Sequence, residues 1–162
     1  MNVVLLIVLL SFTAGLVGDV FCSEIERAVL AMQLDGCPAA YAYSVCGDKL
    51  TKKGDYKSAL KCYDKAIQLK SGKKNIELYL CTRGFFFHHM HNYSAAQADF
   101  TQAIRANPKY ACSYAGRGST RLALDDLPGA LKDYEQAGRL EPTFKIYCAK
   151  QLVSFRCGNR KV

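Results

Sequence analysis

Between Glu77 and Pro142 the apolar, small and polar positions of the chain recur at an interval of 34 residues. Gly84 returns as Gly118, Ala96 as Ala130, Phe100 as Tyr134, Ala103 as Ala137 and Pro108 as Pro142. The string ALKDYEQAGRLEP rewrites AQADFTQAIRANP. An upstream copy sets Gly47, Ala59, Tyr63 and Ala66 at the same offsets, followed by a longer linker containing Ser71 to Lys74. Self-similarity at this period marks a stack of supersecondary units that bury their apolar faces on one another. Each unit reads as two antiparallel helices, over 40–73, 77–110 and 111–144. Gly47, Gly84 and Gly118 leave no side chain where two helices cross, and the alanines about twelve residues on fill the facing side. Leu50, Tyr56, Tyr63, Phe87, Tyr93, Phe100 and Tyr134 wedge the helices together. Gly54-Asp55-Tyr56 and His91-Asn92-Tyr93 make inter-helix turns, Pro128 sits in an opening helical turn, and Pro108 and Pro142 end their units.

Outside the repeats, Ser23 to Leu34 is a short amphipathic helix stopped by Gly36-Cys37-Pro38, so that 23–39 caps the front of the stack. Lys145 to Phe155 reads as a closing helix before a basic tail ending at residue 162. End units of such arrays need a polar outer face, which these two segments are expected to supply.

The small, aromatic, alanine and proline positions resemble the tetratricopeptide repeat family, over about Ala40 to Phe144. That resemblance implies an all-α, right-handed α-α superhelix of three hairpins with a capping helix at each end. It also implies a non-enzymatic scaffold that binds an extended peptide or a helix of a partner protein in a concave groove lined by the first helix of each unit. By helical phase that groove presents Tyr41, Ser44, Asp48, Leu78, Cys81, Phe85, His88, Cys112, Ala115, Ser119 and Leu122, with Phe85 as the candidate anchor. Family members that grip the acidic C-terminal peptide of heat-shock chaperones use lysine, asparagine and arginine at groove sites matched here by Ser44, Asp48, Thr82, Cys112 and Gly116. None of these clamps a carboxylate by charge and Asp48 repels one, so that class of peptide is expected not to bind.

Composition changes the picture at the N-terminal side. Met1 to Gly18 is a continuous apolar run, shorter than the roughly 20 residues a membrane span needs. It reads as a signal peptide within 1–22, cut after Gly18 or Cys22, with a signal anchor on a cytosol-facing adaptor as the alternative. Eight cysteines among 162 residues favour an oxidising compartment, and the C-terminal CGNRKV is not a retention signal, so secretion is expected over residence in the lumen. Arg83 is followed sixteen residues later by Asp99, and Arg117 by Asp133, as intra-hairpin ion pairs. The first unit holds Cys46 and Cys62 at those offsets, which suggests a disulfide in place of the charges. The other six cysteines allow fifteen pairings; Cys81 and Cys112, on neighbouring first helices, could meet across the groove.

The formal charge is +8, and nine lysines stand against three aspartates between Asp48 and Lys74. Lys53, Lys57, Lys61 and Lys65 form a stripe on the outer helix of the first unit. It reads as a solvated face or, alternatively, as an extracellular docking strip for an anionic glycan or acidic protein. It lacks the interleaved aromatics of a nucleic-acid surface, so no nucleic-acid partner is expected. Three imidazoles in His88-His89-Met90-His91 cannot all face one ion along a helix, so no metal and no cofactor are expected. Asn92-Tyr93-Ser94 is a glycosylation sequon in an inter-helix turn. No phosphate loop, paired catalytic carboxylates, serine elbow or activated cysteine is evident, so the chain is expected not to be an enzyme.

Overall fold

The computed structural model describes residues 38–70 and 74–158, together with 27, 29 and 30. The expected signal segment, most of the front cap, and Cys22 and Cys37 lie outside the described residues. Among the described residues from 38 on, seven α-helices follow in order: α1 Ala39–Lys53, α2 Tyr56–Lys70, α3 Ile76–His89, α4 Tyr93–Ala106, α5 Ala111–Ala123, α6 Leu127–Leu140 and α7 Phe144–Gly158. They form three antiparallel hairpins, α1–α2, α3–α4 and α5–α6, stacked so that α3 meets both α1 and α5, and α7 closes against α5 and α6. The fold is the all-α solenoid expected.

Each turn has a local cause. Gly54 takes φ 83°, a left-handed conformation that glycine adopts without a Cβ penalty, and its N–H bonds back to the end of α1. The second and third turns use His91 at φ 57° and Asp125 at φ 61° for the same reversal. Asn92 then caps α4 by accepting from the Ala95 N–H, and Asp126 caps α6 by accepting from the Gly129 N–H. Pro128 lies in the opening turn of α6, where no helical N–H is lost.

Packing explains the repeated residues more sharply than small size alone. A Cβ on Gly47 would lie 2.6–2.9 Å from the Tyr63 ring, and one on Gly118 would lie 2.7–2.8 Å from the Tyr134 ring. Phe100 touches two such positions: Gly84 of its own hairpin and Gly116 of the next. Phe100 is fully buried, as are Ala59, Ala96, Ala103, Ala130 and Ala137 around the three rings. Burial of one such ring contributes about 1.5–3 kcal/mol.

The expected ion pairs form and extend further. Arg83 Nε and Nη2 donate to both Asp99 oxygens at 2.8 and 2.7 Å, while its Nη1 reaches Asp64 of the preceding hairpin at 2.6 Å. Arg117 grips Asp133 the same way at 2.9 and 2.7 Å, and Arg121 adds a third bond to Asp133 at 2.7 Å. In the first hairpin Cys46 is a buried free thiol, so the expected bond to Cys62 is not formed. Both residues instead stand as small buried side chains of the first hairpin, Cys46 8% and Cys62 2% exposed.

The closing helix also departs from expectation. Ile146 and Val153 of α7 are 67% and 60% exposed, so its outer face is partly apolar. The inner side, with Cys148, Leu152 and Phe155, packs on Ala115, Leu122 and Tyr134.

Replacing Gly47 by alanine tests the ring-on-glycine contact. A helical Gly→Ala change alone stabilises by about 0.5–1 kcal/mol. Here the added methyl overlaps the Tyr63 ring, and the net outcome expected is a loss of about 1–2 kcal/mol. Urea unfolding should show a lower midpoint with an unchanged slope.

Candidate functional site: a groove on the first helices

The first helices α1, α3 and α5 line one side of the stack. The residue after each helix-crossing glycine is the point where the core ring reaches that side. The Tyr63 hydroxyl donates to Asp48 Oδ1 at 2.8 Å and lies 3.2 Å from the Thr51 hydroxyl. The Tyr134 hydroxyl donates to Ser119 Oγ at 3.1 Å. Phe100 has no hydroxyl, and Phe85 packs edge-on against it with centroids 5.0 Å apart. The three equivalent positions are thus Asp48, Phe85 and Ser119: polar at both ends of the row, aromatic at the centre. Burial pushes the phenol of Tyr63 well above its ordinary range and that of Tyr134 up to about 12, so both stay neutral donors.

The candidate groove residues divide by exposure. Tyr41, Asp48, Leu78 and Phe85 are exposed, and His88, Cys112 and Ser119 are half-buried. Ser44, Cys81, Ala115 and Leu122 are buried, so these four belong to packing seams rather than to the open surface. Helical phase alone could not separate them, because close packing of α3 on α5 covers part of the inward stripe. The structure adds residues that phase reasoning omitted. Thr120 is fully buried and lies 3.1 Å from His88 Nδ1, Ser113 lies 3.0 Å from Cys81 Sγ, and Tyr147 of α7 reaches to 3.3 Å from Ser119 Oγ.

The histidines do not converge. His88 packs on Tyr93 with centroids 5.5 Å apart, and His91 Nδ1 is 2.9 Å from the Tyr93 hydroxyl. Among the described residues no group of three or more His, Cys, Asp or Glu could hold a metal ion. Asn92 is exposed, with Oδ1 engaged as the α4 cap and accepting from Ser94 Oγ at 3.2 Å. In the lysine stripe, Lys57, Lys61 and Lys65 are exposed along α2, whereas Lys53 belongs to the last turn of α1. No described helix is long and apolar enough to cross a membrane.

A stack of helix hairpins with an aromatic centre on its first-helix side is the architecture of a protein-interaction scaffold. Residues 40–72, the first hairpin, match the tetratricopeptide repeat. Over 95 residues the chain is 35% identical to RNA polymerase II-associated protein 3 of Xenopus tropicalis, covering 59% of this chain and 14% of that protein. It is 33% identical over 94 residues to serine/threonine-protein phosphatase 5 of Mus musculus, covering 58% of this chain and 18% of that protein. The chain thus spans less than a fifth of either relative. The first tetratricopeptide domain of Spaghetti (RPAP3), solved with the HSP90 peptide SRMEEVD, is 27% identical with a TM-score of 0.60, covering 72% of this chain and 93% of that one. The second such domain of human RPAP3, solved with the HSP70 peptide SGPTIEEVD, is 28% identical with a TM-score of 0.60, covering 72% and 94%. These complexes overturn the expectation that acidic chaperone peptides are excluded. Similar domains carry such peptides, so the residues at Ser44, Asp48, Thr82, Cys112 and Gly116 are not grounds for ruling them out.

His88 gives a pH prediction. Burial, and then the neighbouring His91 and His89, hold its imidazole below the ordinary 6.5. As pH falls through 6.5 the unfolded chain therefore takes the proton first, and stability drops until the folded value is passed. Unfolding measured from pH 7.5 down to about 5.5 should show this loss, and His88→Gln should flatten it.

Proposed function

We propose that the chain is a non-enzymatic scaffold that seats a peptide or helix of a partner protein in the groove of α1, α3 and α5, anchored on Phe85. The observation that carries this reading is the change of chemistry along the row Asp48, Phe85, Ser119. An aromatic ring 36% exposed, held edge-on by a fully buried Phe100, is preorganised to receive an apolar side chain. Hydroxyl and carboxylate groups on either side give a peptide backbone donors and acceptors. Acidic C-terminal peptides are one class of occupant: those solved with similar domains end in Glu-Glu-Val-Asp, and a formal charge of +8 favours an acidic ligand.

The direct test is fluorescence anisotropy with SRMEEVD and SGPTIEEVD, for the parent and for Phe85→Ser. The parent should bind at least one, and Phe85→Ser should weaken binding about tenfold or more with helical circular dichroism unchanged. Binding that ignores Phe85, or that moves instead with charge reversal at Lys57, Lys61 and Lys65, would place the site elsewhere.

We further propose that residues 1–22 direct export, on the strength of the apolar run and of eight cysteines in the chain. Expression in a eukaryotic secretory host should then yield protein in the medium with a mass lacking residues 1–18 or 1–22. Glycan on Asn92 would add to that mass. Full-length mass confined to membranes would overturn export and leave the groove reading intact.

A further inference from the structure

The repeats differ where their ion pairs reach the neighbouring unit. At the second hairpin Arg83 holds Asp99 through Nε and Nη2, and its Nη1 donates to the Asp64 carboxylate of the first at 2.6 Å. Phe87 lies against the same guanidinium, with Cζ 5.7 Å from the ring centroid. One unit on, Arg117 repeats the grip on Asp133, but its Nη1 meets only the Thr101 hydroxyl, at 3.4 Å. Thr101 follows the core ring Phe100 as Asp64 follows Tyr63, so a hydroxyl stands where the preceding unit has a carboxylate. Other substitutions add positive charge. Arg121 replaces Phe87 and Lys132 replaces Ala98, while Tyr114 takes over the ring contact to Arg117 at 5.8 Å. Arg121 shares Asp133 at 2.7 Å and lies 3.7 Å from Asp126. Lys132 is exposed and pairs with no carboxylate among the described residues. Arg117, Arg121 and Lys132 line a cleft of about 530 Å³ along α5 and α6, with Asp126 and the buried Asp133. Arg139, also in its wall, is met by Glu135 at 3.5 Å. By helical phase Arg117 and Arg121 are on the opposite side of α5 from Cys112 and Ser119, so the cleft is separate from the groove.

We propose that this cleft is a second binding site, for an acidic peptide segment of a partner protein. One ligand carboxylate takes the place at Arg117 Nη1 that Asp64 fills at Arg83, and a neighbouring one lies against Arg121 and Lys132. A carboxylate is the occupant that the fold itself puts at this position one hairpin earlier. Its planar pair of oxygens matches the donor fork of a guanidinium. Asp133, 4% exposed, anchors both arginines before a ligand arrives, so little side-chain freedom is left to lose on binding. The three cations are spread over two helices, which matches a run of adjacent acids in an extended chain better than a single small anion.

The test uses the full chain and a fluorescently labelled, C-terminally amidated oligoglutamate peptide, which carries no apolar anchor for the groove. Anisotropy should show binding that weakens as salt rises, and none for the matching oligoglutamine peptide. Thr101→Asp supplies the missing carboxylate from the chain itself, and Arg121→Phe restores the ring of the second hairpin. Each should weaken oligoglutamate binding at least about tenfold. Both changes copy residues that the second hairpin already accommodates, and they lie on different helices, so one variant with an unchanged urea midpoint suffices. Absence of binding by the parent, or binding that survives a folded variant, would overturn the assignment. So would binding that follows charge reversal at Lys57, Lys61 and Lys65 instead, or that inorganic phosphate displaces as readily as unlabelled oligoglutamate. None of these outcomes bears on the groove.

Discussion

Each hairpin closes because an aromatic ring on its second helix occupies the space that a Cβ would need on its first. Tyr63 rests on Gly47, Tyr134 on Gly118, and Phe100 on both Gly84 and Gly116. The double contact of Phe100 joins the second hairpin to the third with one side chain. Close approach of the backbones then buries the alanines completely and brings arginine and aspartate into bidentate range. Those ion pairs follow from the packing rather than cause it, since their carboxylates are 4% exposed only because the helices already touch. A charge so buried is strongly destabilising when unpaired, so the Arg83 and Arg117 contacts enforce register more than they add net stability.

The same rings set the chemistry of the groove. A tyrosine at the core position carries a hydroxyl through to the first-helix side, where Asp48 or Ser119 accepts it. A phenylalanine brings only carbon to that surface, and the partner is then Phe85. The apolar centre of the groove is therefore a consequence of one missing oxygen in the core. Packing and exposure are not competing descriptions of Phe85, because the edge-on contact that packs it also fixes the orientation of a ring that is 36% exposed.

Much of this was legible in the sequence because repetition supplies an internal control. Three aligned copies identify the hairpins, and two aligned Arg–Asp offsets predict ion pairs that the structure contains. Legibility failed where the argument needed distance instead of register. Cys46 and Cys62 occupy equivalent positions to the charged pairs, but equivalence in register does not specify the geometry a disulfide demands, and both stand as buried side chains of the core. Ser44, Cys81, Ala115 and Leu122 share the groove phase yet are buried, because helical phase gives a direction and not the proximity of the next helix. The third inter-helix turn has no glycine at its left-handed position; Asp125 takes φ 61° there, an option open to aspartate that composition does not announce.

The reasoning about acidic peptides failed for a related reason, and Asp48 shows why. Read as a residue type at a clamp position, it is a free negative charge facing an incoming carboxylate. In the structure its Oδ1 accepts a hydrogen bond from Tyr63, a phenol whose proton is held firmly by burial. A carboxylate engaged in this way is part of the support of a core ring, and its charge is partly met by a fixed dipole. Around it the chain carries Lys49, Lys52 and Lys53 on the same helix, all in water or nearly so. The potential met by a ligand is the sum over these groups, which a position-by-position match of charged residues does not evaluate. A residue-by-residue match to the usual clamp positions therefore does not by itself exclude an acidic peptide.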